Sequence, residues 1–298
     1  MTKSVGFIGL GAMGRPIARN LANAGISLSV FDVNNEVARK FCAEFPARHG
    51  SSAADVSEGA DVVITIVPTS AVVEQTVFGP QGMASTAVKP RLLIDMTSGQ
   101  PQVTRDIGRR LGDMGIGMID APVSGGVARA TRGDLAIMVG GKKADIDSCK
   151  YVLEHIGQTP VHVGSLGAGQ ALKALNNMSS AAGLLIASEV VWVAQRFGLD
   201  PQRVVEVINS SSGMNNSTKT KVKEHILSGS YASGFGLDLM VKDLGIALEI
   251  GTGLNAEMPL SKACFDLWVS AQKTLGPGRD HTEIARASAT LAGVESQS

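Results

Sequence analysis

Two stretches of the chain combine residue types and spacings that can do chemistry. The first is Gly9-Leu10-Gly11-Ala12-Met13-Gly14, a GxGxxG string that follows the apolar run Val5-Gly6-Phe7-Ile8 and leads into a helix-like segment. In such a turn the first glycine allows a tight bend, the second lets the backbone approach a pyrophosphate, and the third packs helix on strand. The N–H groups of the helix start then face the phosphates. A glycine-rich turn without a ligand can carry the same letters, so the string is read together with Asp32. That acid closes the next apolar run, Leu28-Ser29-Val30-Phe31, at about the ~20-residue offset of a ribose-binding carboxylate. A carboxylate there accepts hydrogen bonds from both ribose hydroxyls and repels a 2′-phosphate, so the expected cofactor is NAD. Arg15 and Arg39 leave some use of NADP open.

The second stretch is Gly167-Ala168-Gly169-Gln170-Ala171-Leu172-Lys173-Ala174-Leu175-Asn176-Asn177. Lys173 and Asn177 are four apart and share one helix face, with Ser180 a turn further on. The apolar neighbours Leu172, Leu175 and Met178 would partly desolvate such a lysine, a condition that suits an amine to proton transfer near neutral pH. The same letters also fit a lysine snorkelling from an amphipathic helix. Between the two stretches lies Asp120-Ala121-Pro122-Val123-Ser124-Gly125-Gly126. Successive small residues let backbone N–H groups converge on an anion, and Ser124 adds a hydroxyl, so this loop is a candidate grip for a carboxylate.

The elements that must position these residues are legible as short apolar runs alternating with helix-length segments from Ser4 to about Val163. Further runs occupy 62–67, 92–94, 118–119, 136–139 and 161–163, and the segments between them, such as 101–114 and 144–156, are long enough for crossover helices. That alternation predicts an α/β domain with a doubly wound, mostly parallel sheet of the Rossmann type. Ligands collect outside the carboxyl ends of such strands. Val67 and Pro68 are therefore expected to line the cofactor, and a hydroxyl of Thr97 or Ser98 to lie near the nicotinamide ribose.

After Gly164 the strand pattern stops. Residues 167–197 read as one long helix ended at Gly198, with Pro201 opening the next. The expected division is a cofactor domain over 1–164 and an all-α substrate and oligomerisation domain over 165–298, ending in a polar tail over 294–298. The stretch from Met178 to Val193 is too apolar to be exposed on any side. It is expected to be wrapped by later helices and by a partner subunit, but Ser180, Ser188 and Glu189 make it a poor membrane span.

Composition narrows the function classes. Lys and Arg (27) balance Asp and Glu (27), with no basic run, so neither nucleic acid nor a polyanion is an expected partner. Three scattered cysteines, Cys42, Cys149 and Cys264, argue against a disulfide framework. The five histidines are dispersed, without metal-ligand spacing. The N-terminus lacks the charged leader and long apolar stretch of a signal peptide, and a cytoplasmic location is expected.

Taken in order, Gly9-Leu-Gly11-Ala-Met-Gly14, Asp120-Ala-Pro-Val-Ser124-Gly-Gly, Gly167-Ala-Gly169 through Lys173 and Asn177, and Lys242-Asp243-Leu244 resemble the 3-hydroxyisobutyrate dehydrogenase (β-hydroxyacid dehydrogenase) family over nearly the whole length. The resemblance implies that Lys173 is the catalytic acid/base and that Asn177 assists it. It implies that Ser124, Gly125 and Gly126 bind the carboxylate of a small 3-hydroxy acid or its semialdehyde, and that Lys242 reaches the cofactor or substrate. It also implies a homodimer or homotetramer. The related 6-phosphogluconate dehydrogenases carry a glutamate seven positions after the lysine; here that position is Ser180, so oxidation without decarboxylation is expected. Imine reductases, which share the fold, usually lack the lysine. A protein that binds NAD as a sensor or scaffold without turnover is the alternative, and Lys173, Asn177 and the Ser124 loop weigh against it.

Overall fold

A computed structural model describes residues 3–294; positions 295–298 of the expected polar tail lie outside the described residues. The chain divides into two compact units, Met1–Lys173 and Ala174–Ser298.

The first unit is built on β1 (Ser4–Ile8), α1 (Gly14–Asn23), β2 (Ser27–Phe31), α2 (Asn35–Glu44), β3 (Arg48–His49), α3 (Ala53–Ser57), β4 (Val62–Thr65), α4 (Ser70–Phe78), β5 (Leu92–Asp95), α5 (Pro101–Asp113) and β6 (Gly117–Asp120). It continues through β7 (Val123–Ser124), α6 (Gly126–Arg132), β8 (Ala136–Gly140), α7 (Lys143–Ser148), α8 (Lys150–Leu153) and β9 (Thr159–Gly164). The strand order is β3-β2-β1-β4-β5-β6-β8-β7, with β9 on β8. Pairings from β3 to β6 are parallel, as is β8 with β9, whereas β8 runs antiparallel to β6 and β7. This is the Rossmann arrangement expected from the sequence.

The central strands read as continuous apolar runs because both faces of the sheet are covered. Val5, Phe7, Val62, Ile64, Leu92 and Ile94 point to one core with Ile17, Leu21 and Phe41 of α1 and α2. The alternate residues Ile8, Val63 and Leu93 point to the other, with Val73, Val77, Ile107 and Leu111 of α4 and α5. Sheet order reverses between β1 and β4, which opens the crevice where such folds bind ligands. Two details depart from the sequence reading. The crossover segment 144–156 is broken into α7 and α8 at Cys149, and the 62–67 run leaves strand geometry after Thr65.

The helix α9 (Ala168–Arg196) starts in the first unit and runs on through the second. The chain then turns at Gly198, whose φ of +99° suits a residue without Cβ, and enters α10 (Pro201–Asn209) under the cap of Asp200. A π-helix (Thr218–Ile226), α11 (Leu237–Gly253), α12 (Pro259–Leu275) and α13 (Ile284–Leu291) complete the second unit. Ala174, Met178, Ala181, Leu184, Ala187 and Val191 of α9 form its spine, packed with Leu244, Trp268 and Ile284. By length and composition α9 could cross a membrane, yet half of its most apolar stretch is buried inside the protein. The expectation that no side of α9 is exposed is not met within one chain. The later helices cover one side, and Ile186, Val190, Val193 and Phe197 stay 43–83% exposed.

Candidate active site

The glycine-rich turn is built as its letters suggest. Gly9 has a φ of +100°, and a Cβ there would lie 2.3 Å from the carbonyl oxygen of Ile66, so the turn of β1 passes tightly against the end of β4. At Gly14 a Cβ would come within 1.9 Å of the Gly9 carbonyl oxygen, which is how α1 packs onto the strand. A Cβ at Gly11 would meet nothing within 4 Å: it faces open space in front of the helix start. Among the described residues no side chain caps α1, whose N-cap is Met13, and no acid sits in its first turn. The backbone donors of that turn therefore suit an anionic ligand.

Asp32 lies beside the turn. One carboxylate oxygen accepts the Leu10 N–H at 2.7 Å and the other the Asn34 N–H at 2.8 Å. It thus ties the end of β2 to the glycine loop and keeps lone pairs for further donors, since a carboxylate offers about four acceptor sites. This donor and acceptor set fits a dinucleotide: amides for the pyrophosphate and a carboxylate for ribose hydroxyls.

The neighbouring strand ends are locked together. Val67, half-buried, donates its N–H to the hydroxyl of Thr97 at 3.1 Å, while Pro68 is exposed. Thr97 is buried with its hydroxyl on that bond, and Ser98 is the half-exposed member of the pair. Behind them lies a buried polar network that the sequence reading did not anticipate. The Gln170 amide accepts the Gly99 N–H at 2.9 Å and donates to the Thr97 carbonyl at 2.7 Å. Asp120, at the end of β6, accepts the N–H groups of Gly167 and Gln170, both at 2.7 Å, and so caps the start of α9. Asp95 accepts from the Thr65 hydroxyl and the Thr97 N–H. Burial, reinforced by the nearby charge of Asp120, pushes its carboxyl up to about 6 despite those bonds; burial raises the Asp120 carboxyl as well. The start of the helix that carries Lys173 is therefore fixed to the ends of β5 and β6. Lys173 follows Gln170 by three positions and is only 9% exposed.

Asp120 also opens the Ser124 loop. Ser124 pairs with Ala136 as the last residue of β7, and Gly125 and Gly126 follow with φ of +135° and +67°, conformations that favour glycine. Ser124 is half-buried and both glycines are exposed.

In the second unit, Asn177 is buried and donates to the Asp243 carboxylate at 2.6 Å. The other oxygen of Asp243 lies 3.1 Å from the Lys242 amine. Asp243 is a residue to which the sequence reading assigned no role; its place beside Lys242 in the Lys242-Asp243-Leu244 motif was the available signal. Asn177 and Lys242 are thus brought together through it. A further turn along α9, the Ser180 hydroxyl accepts from Lys221 at 3.4 Å.

Comparison with known proteins matches this architecture segment by segment. Residues 4–164 match the NAD-binding domain of 6-phosphogluconate dehydrogenase, and residues 167–288 match the NAD-binding segment of NADP-dependent 3-hydroxyisobutyrate dehydrogenase. The chain is 35% identical over 282 residues to 2-(hydroxymethyl)glutarate dehydrogenase of Eubacterium barkeri, covering 94% of this chain and 93% of that one. It is 36% identical over 270 residues to the mitochondrial 3-hydroxyisobutyrate dehydrogenase of Homo sapiens, covering 89% and 80%. The solved 3-hydroxyisobutyrate dehydrogenase of Mycobacterium tuberculosis with L-serine superposes with a TM-score of 0.86 at 30% identity, over 98% of this chain and 99% of that one.

Proposed function

The chain belongs to the 3-hydroxyisobutyrate dehydrogenase family of NAD-dependent β-hydroxyacid dehydrogenases, and from that premise we propose that it interconverts a small 3-hydroxy acid and its semialdehyde, with Lys173 as general acid/base and without decarboxylation. The observation that carries this reading is the burial of Lys173 on a helix start held by Asp120 and Gln170. A group anchored in this way is positioned for one proton transfer.

The Gly9–Gly14 turn, Asp32, the Val67-Pro68 strand end and Ser98 would hold NAD, which would supply the hydride acceptor at its nicotinamide ring. Ser124 and the backbone of Gly125 and Gly126 hold the substrate carboxylate. In oxidation the neutral amine of Lys173 takes the proton from the substrate hydroxyl oxygen; in reduction the ammonium returns it to the carbonyl oxygen. Asn177, oriented by Asp243, holds the substrate oxygen beside that amine, and Lys242 adds positive charge toward cofactor or substrate. Ser180 stands where a decarboxylating relative needs a glutamate to protonate the enediol, which supports simple oxidation. Asp32 supports NAD over NADP, because a 2′-phosphate would meet its carboxylate. The exposed strip of Ile186, Val190, Val193 and Phe197 supports assembly as a homodimer or homotetramer.

The test is the absorbance of the reduced nicotinamide while a panel of 3-hydroxy acids is offered with NAD and with NADP. Formation of NADH with at least one acid is expected. No signal in either direction, with NAD binding verified, would favour a sensor without turnover.

A further inference from the structure

The helix α1 begins at the glycine-rich turn, and Asn20 lies six residues past Gly14 on it, roughly 9 Å along the axis. The Asn20 amide donates to the carbonyl oxygen of Ala130 at 2.8 Å, and its side-chain oxygen accepts from the Arg19 guanidinium at 3.2 Å, which fixes the orientation of the amide. Arg19 donates in turn to the carbonyl oxygen of Thr131. Ala130 and Thr131 lie in the last turn of α6, the short helix that begins at Gly126 directly after Ser124 and Gly125. Carbonyls of a last turn have no partner within their own helix, and the Gly133 N–H gives that of Ala130 only a longer bond of 3.3 Å. The fit is close: a Cβ at Gly133, the left-handed residue that ends α6, would lie 3.3 Å from the Asn20 amide nitrogen. All of these residues belong to the first unit.

The loop between β7 and α6 has little to hold it from within. Glycine is free to adopt φ of +135° and +67°, so Gly125 and Gly126 take the path that their flanks impose. On one flank β7 contributes two residues paired to β8. On the other, α6 has seven residues, too few for a helix to be stable by itself. Ala130 shares a core with Ile17 and Leu21 of α1, but apolar contact has no direction and does not set a register. The Asn20 and Arg19 bonds do, and they set it on the same helix whose first turn suits the cofactor phosphates. We propose that Asn20 is a positioning residue: through α6 it holds Ser124, Gly125 and Gly126 at a fixed place relative to the cofactor turn, so that a bound carboxylate stands in register with NAD. This inference rests on the reading of that loop as the carboxylate grip.

The experiment uses Asn20→Asp, which keeps the shape of the side chain and puts an oxygen where the N–H donor faced the Ala130 carbonyl. Asn20→Ala is a second variant should the aspartate variant fold poorly. 3-Hydroxyisobutyrate, 2-(hydroxymethyl)glutarate and glycerate are offered with NAD, and the acid that wild type turns over fastest is carried through, beside titration with NADH by fluorescence. In the variants kcat/KM for that acid should fall about tenfold or more with KM raised, because a positioned group tolerates little displacement, while the dissociation constant for NADH stays within about twofold. A double-mutant cycle with Ser124→Ala separates positioning from stability: two residues that act on one carboxylate couple, so the second substitution costs much less once the first is present. A lowered Tm with unchanged kcat/KM, independent effects in the cycle, or NADH binding weakened as much as the acid overturns the inference and leaves the dehydrogenase reading intact. Ser124→Ala without effect on KM removes the carboxylate grip, and the inference with it. A wild-type protein silent with all three acids in both directions overturns the dehydrogenase reading and everything that rests on it.

Discussion

Replacing Gln170 by leucine tests the idea that the reactive lysine is held in place by a buried network remote from it in sequence. The side chain is 1% exposed and makes two short bonds, one from Gly99 N–H at 2.9 Å and one to Thr97 C=O at 2.7 Å, besides a longer one to the Asp95 carboxylate at 3.5 Å. Leucine conserves volume but leaves that donor and that acceptor buried without partners. At about 1–3 kcal/mol for each orphaned group, the loss of stability is about 4 kcal/mol. For a unit of this size each kcal/mol moves the midpoint by about 2–4 °C, so Tm should fall by about 8–16 °C. The start of α9 also loses its tie to the end of β5, and kcat should drop by about tenfold or more, because small displacements of a positioned group are costly. Differential scanning calorimetry and steady-state assays on the same preparation read both effects. A Tm within about 2 °C of wild type, or full kcat at a lowered Tm, would show that Gln170 does not hold the lysine in place.

Asp95 gives a pH signature. Its carboxyl is raised from 3.8 to about 6 in the folded protein. At low pH it is protonated in both states; as pH climbs from about 4 to 6 the unfolded chain releases its proton first, so stability is lost across that window, by about 3 kcal/mol in all. In Asp95→Asn the decline of Tm between pH 4 and 7 should be shallower than in wild type, and parallel curves would contradict the raised carboxyl. Asp32→Ala should weaken NAD and narrow its advantage over NADP, read as the ratio of the two kcat/KM values; an unchanged ratio removes Asp32 from the ribose site. Asp243→Ala strips Asn177 of its buried acceptor and should cost about 2–4 kcal/mol in calorimetry together with a fall in kcat. Unaltered stability and rate would show that this carboxylate orients nothing.

What the sequence made legible was local or periodic. Two-faced burial turns β1, β4 and β5 into apolar runs, and the glycine turn followed by Asp32 is recognisable because its parts lie within one βαβ unit. Gly198 and Pro201 mark the end of α9 and the start of α10 because both constraints act on the backbone of the residue itself. The Gln170 and Asp120 network is not legible in the sequence because its partners stand 47 to 73 positions away, and an amide or a carboxylate does not announce which orphan groups it will meet. Asp243 was visible within its motif, but its bond to Asn177 spans 66 positions. The π-helix depends on the cap by Asn215 and on packing against α9, not on a composition distinct from that of an α-helix. The exposed strip of α9 shows the reverse case: apolar periodicity signals burial without saying what does the covering.

Proton transfer by Lys173 is tested by Lys173→Ala, assayed for oxidation of a 3-hydroxy acid that wild type turns over and titrated with NADH by fluorescence. A fall in kcat of about 10²–10⁴-fold is expected, the range of a lost general acid/base, with the dissociation constant for NADH nearly unchanged. A variant that retains kcat within a few fold, or that loses NADH binding along with turnover, would contradict it and make the lysine structural.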